Sequence, residues 1–337
     1  MRSITIKDLA KSLGISKSTV SRALSGDSKN VSDETIRKVN EAAVSMGYRK
    51  NEMAANLRNR KSKAIGLIIP ETVTSFYLRF TATVQRILHP YGYRIILALS
   101  DEDYNTERFN IETFKTYNLD GILISTCHNK ANRDFYNDLI NKGFPMVFFD
   151  RTITGMDCSS VRSDDYRSAF FLIEHLIYNG HRKILHLAGP DYIANSDERL
   201  RAYTDVLAKH GIKYCPELVV KAGVDEIAGV EAMNKILNSD LDYNALFCFT
   251  ELQAIGAKKV LQERGVRIPE DVAIICMSGT KLSTLVYPEI TAVEQPLEKM
   301  AEEAVRLLLA KIDNPAAPVE KVVLHADMVI RSSSETE

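Results

Sequence analysis

From Ala64 onward, short apolar runs alternate with amphipathic stretches, and few topologies accommodate that pattern. "AIGLIIP", "YRIILAL", "DGILIST" and "PMVFFD" read as buried strands. "FYLRFTATVQRILHPYG", "TERFNIETFKTYN" and "FYNDLINKG" lie between them and carry apolar residues at helical spacing. A second set repeats the theme, with strands "KILHLAG", "ELVV", "NALFCF" and "VAIICM". Its helices include "RSAFFLIEHLIYNG", "RLRAYTDVLAKHG", "GVEAMNKILNS" and "LQAIGAKKVLQERG". Strands apolar along their whole length must be covered on both faces, as they are in parallel sheets flanked by helices. Two sets predict two doubly wound parallel-sheet α/β lobes.

The residues before Ala64 follow another rule. They carry 14 Lys and Arg against 6 Asp and Glu, whereas the remainder carries 29 against 38. A basic head on an acidic body suits a polyanionic partner for the head alone. Thr5 can cap a helix in which Ile6, Leu9, Ala10 and Leu13 share one face. Gly14 ends it and permits a tight turn. Ser16 can cap a second helix, "KSTVSRALSG", and Ser32 a third, with Asp33 and Glu34 favouring its dipole. Helix, glycine turn, helix is the helix-turn-helix unit. Leu9, Leu13, Ile15, Val20 and Ala23 supply the shared apolar face, leaving Lys17, Ser18, Thr19, Ser21 and Arg22 outside. Such a helix enters the major groove, where Arg can fork onto guanine and Ser or Thr can meet bases or phosphates. Thr5, Ser16, Lys29 and Asn30 complete the expected DNA-facing set in this all-α head.

"ITIKDLAKSLGISKSTVSRALSG" followed by "VSDETIRKVNEAAVSMGY" resembles the head of the LacI/GalR family of bacterial transcription regulators. The resemblance extends over nearly the whole chain. It implies a helix-turn-helix domain over 1–49, a hinge over 50–63 and an effector-binding and dimerisation core over 64–337. In the family the hinge folds on operator DNA and wedges a leucine into the minor groove, which kinks the duplex. By position that leucine is Leu57, with Asn51, Met53, Ala54 and Ala55 on the hinge helix. Lys50 stands where the family usually has proline. The core is implied to be periplasmic-binding-protein-like, crossed three times near Val161–Ser163, Ile290–Val293 and Leu324–Ala326. That gives a first lobe of about 64–161 and 293–324 and a second of about 162–292 and 325–337.

Ligands of open α/β sheets sit beyond the carboxyl ends of the strands. The loops there offer Ser75, Phe76 and Tyr77, then Asp150 and Arg151, Val224, Thr250 and Ser278. The resemblance adds Arg199 from "RLRAY" and Gln295, and it gives Asp150 and Arg151 the place of the frequent "FDR". Two departures stand out: Thr250-Glu251 replaces the usual Asn-Asp, and Ser278 replaces a usual aspartate. With one acid lost while Arg151, Arg199 and Lys281 remain, the expected effector is a sugar derivative carrying an acid or phosphate group, or a smaller polyol. The competing expectation is a core that answers a partner protein.

Enzymatic chemistry finds no support. No GxGxxG follows a strand, "GISKST" lacks the spacing of a phosphate loop, and "MSG" at Ser278 is not a nucleophile elbow. The 7 histidines and 5 cysteines show no metal spacing, so no cofactor is expected. No apolar run approaches the roughly 18 residues of a membrane span, and the N-terminus lacks an apolar signal core. The expectation is a cytoplasmic, nucleoid-associated homodimer that reads a pseudopalindromic operator, most often as a repressor. The tail "VIRSSSETE" has no leucine heptads for further assembly.

Overall fold

The computed structural model describes residues 4–48 and 62–335. The chain divides into two compact units, Met1–Ser62 and Lys63–Glu337. The expected hinge residues Asn51, Ala54 and Leu57 lie outside the described residues.

The first unit contains α1 (Ile6–Leu13), α2 (Lys17–Leu24) and α3 (Asp33–Ser45). Thr5 and Asp8 form a reciprocal capping box on α1, with Thr5 N donating to Asp8 Oδ2 at 2.9 Å. Gly14 takes φ +65°, a left-handed conformation costly for any other residue, and turns the chain into α2. Ser16 Oγ accepts from Thr19 N at 3.0 Å and caps α2, and Ser32 caps α3 in the same way. Leu9, Ala10, Val20, Ala23, Val31, Val39 and Ala43 form one buried cluster where the three helices meet.

The second unit holds two six-stranded sheets. The first comprises β1 (Ala64–Ile69), β2 (Arg94–Leu99), β3 (Gly121–Ile124), β4 (Met146–Phe149), β5 (Ser160–Ser163) and β11 (Lys321–Leu324), in the order β11-β5-β4-β3-β1-β2. All its pairings are parallel. Helices α4 (Ser75–Leu88), α5 (Tyr104–Thr116), α6 (Arg133–Asn141) and α11 (Leu297–Asp313) cover it. The last long helix therefore belongs to the first lobe, where Met300, Ala304 and Leu308 join Ile65, Leu67 and Phe80 in one core.

The second sheet comprises β6 (Ile184–Ala188), β7 (Val219–Lys221), β8 (Ala245–Cys248), β9 (Ala273–Cys276), β10 (Thr291–Glu294) and β12 (Asp327–Val329), in the order β12-β10-β9-β8-β6-β7. It is flanked by α7 (Asp165–Tyr178), α8 (Ala194–Lys209), α9 (Glu226–Leu237) and α10 (Glu251–Glu263).

Four expectations are corrected. β5 pairs along its length with β11, so residues 162 and 163 stay in the first lobe and the first crossing follows Ser163. β10 pairs with β9 and β12, so Val293 and Glu294 stay in the second lobe and the next crossing follows Glu294. The second sheet is not wholly parallel, because β12 returns antiparallel to β10. β2, for its part, is not buried: it is the outer strand of the first sheet, with Ile96, Leu97 and Leu99 about two-fifths exposed.

Four of the five cysteines, Cys127, Cys158, Cys248 and Cys276, are buried free thiols. Burial pushes Cys158 up to about 11 and the other three further, which leaves them unreactive near neutrality.

Candidate functional site

On the head, the apolar side of α2 is spent on the three-helix core, so its other side must face out. Lys17, Ser18 and Arg22 are exposed, and Thr19 and Ser21 half-exposed. Ser16, Lys29, Asn30 and Thr5 are also exposed. Among the described residues no carboxylate pairs with Lys17, Arg22 or Lys29, whereas Arg37 and Lys38 on α3 pair with Glu41 and Glu34. Among the described residues, three uncompensated cations thus mark the first turn of α2 (Lys17), its last turn (Arg22) and the segment after it (Lys29). Ser16 Oγ lies 2.7 Å from Ser18 Oγ and 2.8 Å from Thr19 Oγ1, a small hydroxyl network at the tip of the helix.

In the core, the loops at the carboxyl ends of the strands of both lobes meet over one cavity of about 50 Å3. Ser75, Phe76, Tyr77, Asp150, Arg151, Arg199, Val224, Thr250, Ser278 and Gln295 all line it. Sequence reasoning missed Glu71, Ile193, Asn195, Phe249, Leu252, Thr280 and Leu282, which share the lining. Glu71 and Phe249 follow strands β1 and β8 by only one or two positions, and that placement could have flagged them. Leu282 lies in the stretch "SGTKL" after β9, one of the loops expected at the cleft, but was not itself singled out; it sits in a short 3-10 turn, Lys281–Thr284.

Asp150 (φ +55°) and Ser278 (φ +59°) hold left-handed backbone at the cavity without being glycines. Strain of that kind persists where the surroundings over-determine a site. Tyr77 OH donates to Asp150 Oδ2 at 2.7 Å, and burial pushes its phenol well above the ordinary range, so it stays a donor. Gln295 Nε2 donates to Asp150 Oδ1 at 3.2 Å and to Ser163 Oγ at 2.8 Å, joining the segment after β10 to the first lobe. Asn129 N donates to Tyr192 O at 2.7 Å, Arg162 reaches Glu198 at 2.8 Å, and these bonds also clasp the two lobes.

The two arginines do not supply the expected cationic surplus. Arg151 Nη1 donates to Glu102 Oε1 at 2.7 Å. Arg199 places Nε at 2.8 Å and Nη2 at 2.5 Å from Asp165 Oδ1, gives Nη1 to Phe249 O at 2.6 Å, and lies over the Phe249 ring. Arg199 and Asp165 are both 3% exposed. Burial pushes the Asp165 carboxyl up to about 6, and Arg199 restrains it. Lys281 is exposed and outside the lining. With Glu71, Asp150 and Glu251 also on the lining, the cavity has no net positive charge, and the inference of an acidic or phosphorylated effector loses its basis.

Of the two sequence departures, Glu251 ties the start of α10 to the loop after β9. Glu251 accepts from Thr280 N, Thr280 Oγ1 and Ser283 N, each at 2.7 Å, and from Ser283 Oγ. The longer side chain reaches across to the loop after β9, on which Ser278 replaces the usual acid.

Residues 5–51 match the family described as bacterial regulatory proteins, lacI family, and residues 173–334 match the periplasmic binding protein-like domain. The chain belongs to the LacI/GalR family of bacterial transcriptional regulators. It is 29% identical to the catabolite control protein A of Priestia megaterium over 98% of this chain and 99% of that one. Among solved structures, the regulator CelR in complex with cellobiose is 27% identical with a TM-score of 0.75, covering 98% of this chain and 99% of the other. The Lac repressor dimer bound to operator and an anti-inducer shares the fold with a TM-score of 0.88 at 20% identity, covering 99% and 100%. Like other LacI/GalR members, the protein is a DNA-binding regulator and not an enzyme. Among the described residues no helix is long and apolar enough to cross a membrane.

Proposed function

We propose that this LacI/GalR regulator is a homodimeric repressor whose hold on a pseudopalindromic operator is set by a sugar or sugar derivative bound between the two lobes. The observation that carries the reading is the convergence of loops from both lobes on one cavity that holds two non-glycine residues at positive φ. A ligand there touches both lobes at once, so its binding energy differs between lobe arrangements, which is the requirement for control. The CelR relative, solved in complex with cellobiose, supports a carbohydrate as the effector.

The exposed unpaired cations of α2 suit the reading of base edges and phosphates. Lys17, Ser18, Thr19, Ser21 and Arg22 are the reading residues. Thr5, Ser16, Lys29 and Asn30 hold phosphates, and the hinge over 50–63 carries Leu57 as a minor-groove wedge with Asn51 and Ala54 beside it.

Dimerisation is supported by an exposed apolar surface on the first lobe. Leu78 of α4, Ile96, Leu97 and Leu99 of β2 and Phe109 of α5 are all exposed. An open apolar edge strand invites a second copy.

In vitro selection of random duplexes by the full-length protein tests the proposal. The expected product is a two-fold-symmetric site whose enrichment is lost with Arg22→Ala. Recovery of unrelated sequences would overturn it. Should the selected site form while no small molecule changes its affinity, the partner-protein alternative for the core takes precedence.

A further inference from the structure

The two walls of the interlobe cavity differ in what they leave available to a ligand. The first-lobe wall keeps hydrogen-bonding capacity. Each Asp150 oxygen receives one bond, from Tyr77 or from Gln295. Gln295 uses only its amide nitrogen, so its oxygen remains an acceptor. Ser75 Oγ has no partner among the described residues.

The second-lobe wall has spent most of its polar groups internally, leaving open among the described residues only the Ser278 hydroxyl, which lies 3.5 Å from Arg199 Nη2, and Asn195 Oδ1. Glu251 is occupied by Thr280 and Ser283. Thr250 Oγ1 donates to Val224 O and accepts from Gln253 N. Asn195 Nδ2 and the Arg199 guanidinium are turned to Asp165. What this wall offers instead is Val224, Phe249, Leu252 and Leu282. The Glu251 clamp on Thr280 and Ser283 brackets Leu282 and holds it at the cavity.

Building on the reading of this cavity as the effector site, we propose that the effector is amphipathic: a hydroxylated ring edge against Asp150, Ser75 and Gln295, and an apolar substituent against Val224, Leu252 and Leu282. A deoxy-sugar methyl group or the aglycone of a glycoside would both supply that substituent. A hydroxyl in its place loses water without gaining a partner. Apolar pockets of this kind favour one added methyl or methylene by about 10–200-fold.

Calorimetric titration of the full-length protein with matched pairs tests the proposal and separates its sources. L-rhamnose against L-mannose and L-fucose against L-galactose probe a deoxy methyl group, and phenyl β-D-glucoside against D-glucose probes an aglycone. The expected result is at least tenfold tighter binding of the apolar member in a pair that binds, shrinking several-fold in Leu282→Asn. Leu282 is about one-third exposed, so that variant tests recognition without removing core. Val224→Asn, on a half-buried loop position, gives a second reading of the same contact. Equal or tighter binding of the hydroxylated member overturns the amphipathic proposal and leaves the cavity as an effector site. A preference unchanged in both variants also overturns it, because the apolar contact then lies elsewhere. Absence of binding by all six compounds overturns the carbohydrate reading of the cavity, and this proposal with it.

Discussion

Arg22 and Lys17 are both exposed on α2 but are expected to fail differently when removed. Arg22→Ala should cost about 1–3 kcal/mol on the selected duplex and relax the preference at one base position, because a forked contact to a base is lost. Lys17→Ala should weaken all duplexes alike and lower the salt slope of binding by about one, because a phosphate contact is lost. Binding titrations on matched and mismatched duplexes at several salt concentrations separate the two. Arg199→Ala belongs to another class. It strands a buried carboxylate at Asp165, and a broken buried pair costs about 3–5 kcal/mol. Denaturant unfolding should therefore show a large loss of stability for Arg199→Ala, where a purely ligand-gripping arginine would show little. The head surface was legible in sequence because caps, glycine turn and helical spacing are all local. The charge state of the cavity was not. Arg151 finds Glu102 at a separation of 49 residues and Arg199 finds Asp165 at 34, and only the folded sheets bring those loops together. Counting Arg199 toward a cationic surplus left out its counter-ion, Asp165.

The secondary elements carry their own tests. Ser16→Ala removes the cap of α2 and should cost about 1 kcal/mol of local stability. Hydrogen exchange of the α2 amides in the full-length protein reads that loss while the sheets of the core stay protected. Between α9 and α10 the helices approach so closely that a Cβ on Gly256 would lie 2.1 Å from Glu226 O, a backbone atom that cannot step aside cheaply. Gly256→Ala is expected to destabilise the second lobe by about 1–3 kcal/mol through overpacking, measured by thermal unfolding. Strands such as β1, β4, β6 and β9 were readable because each is apolar on both faces. β5 and β10, "SVRS" and "TAVE", are short and half polar, so their pattern alone announces no strand. β2 misled in the opposite direction: "RIILAL" has the composition of an inner strand and takes an outer position. Composition reports whether a strand is covered, and β2 lacks cover within one chain.

At the scale of the whole molecule that uncovered strand is the natural place for a second copy. Leu97→Glu places a charge in the middle of it and should convert dimer to monomer, as read by sedimentation equilibrium. The monomer should bind the selected duplex at least tenfold more weakly, since two heads no longer act together. Two-lobe architecture and the site of the cleft followed from the order of strands and helices, while the lobe boundaries shifted by about two residues because ladder pairing, invisible in composition, decides them. Control by an effector requires that cavity and DNA surface be coupled. The most direct test is the dissociation constant of the full-length protein for its selected duplex, measured with and without the compound that binds tightest in the matched-pair titrations. The expected result is a change of at least about fivefold in DNA affinity and, by reciprocity, an equal change in the ligand's affinity when DNA is bound. A DNA affinity that stays the same with the cavity saturated would contradict it.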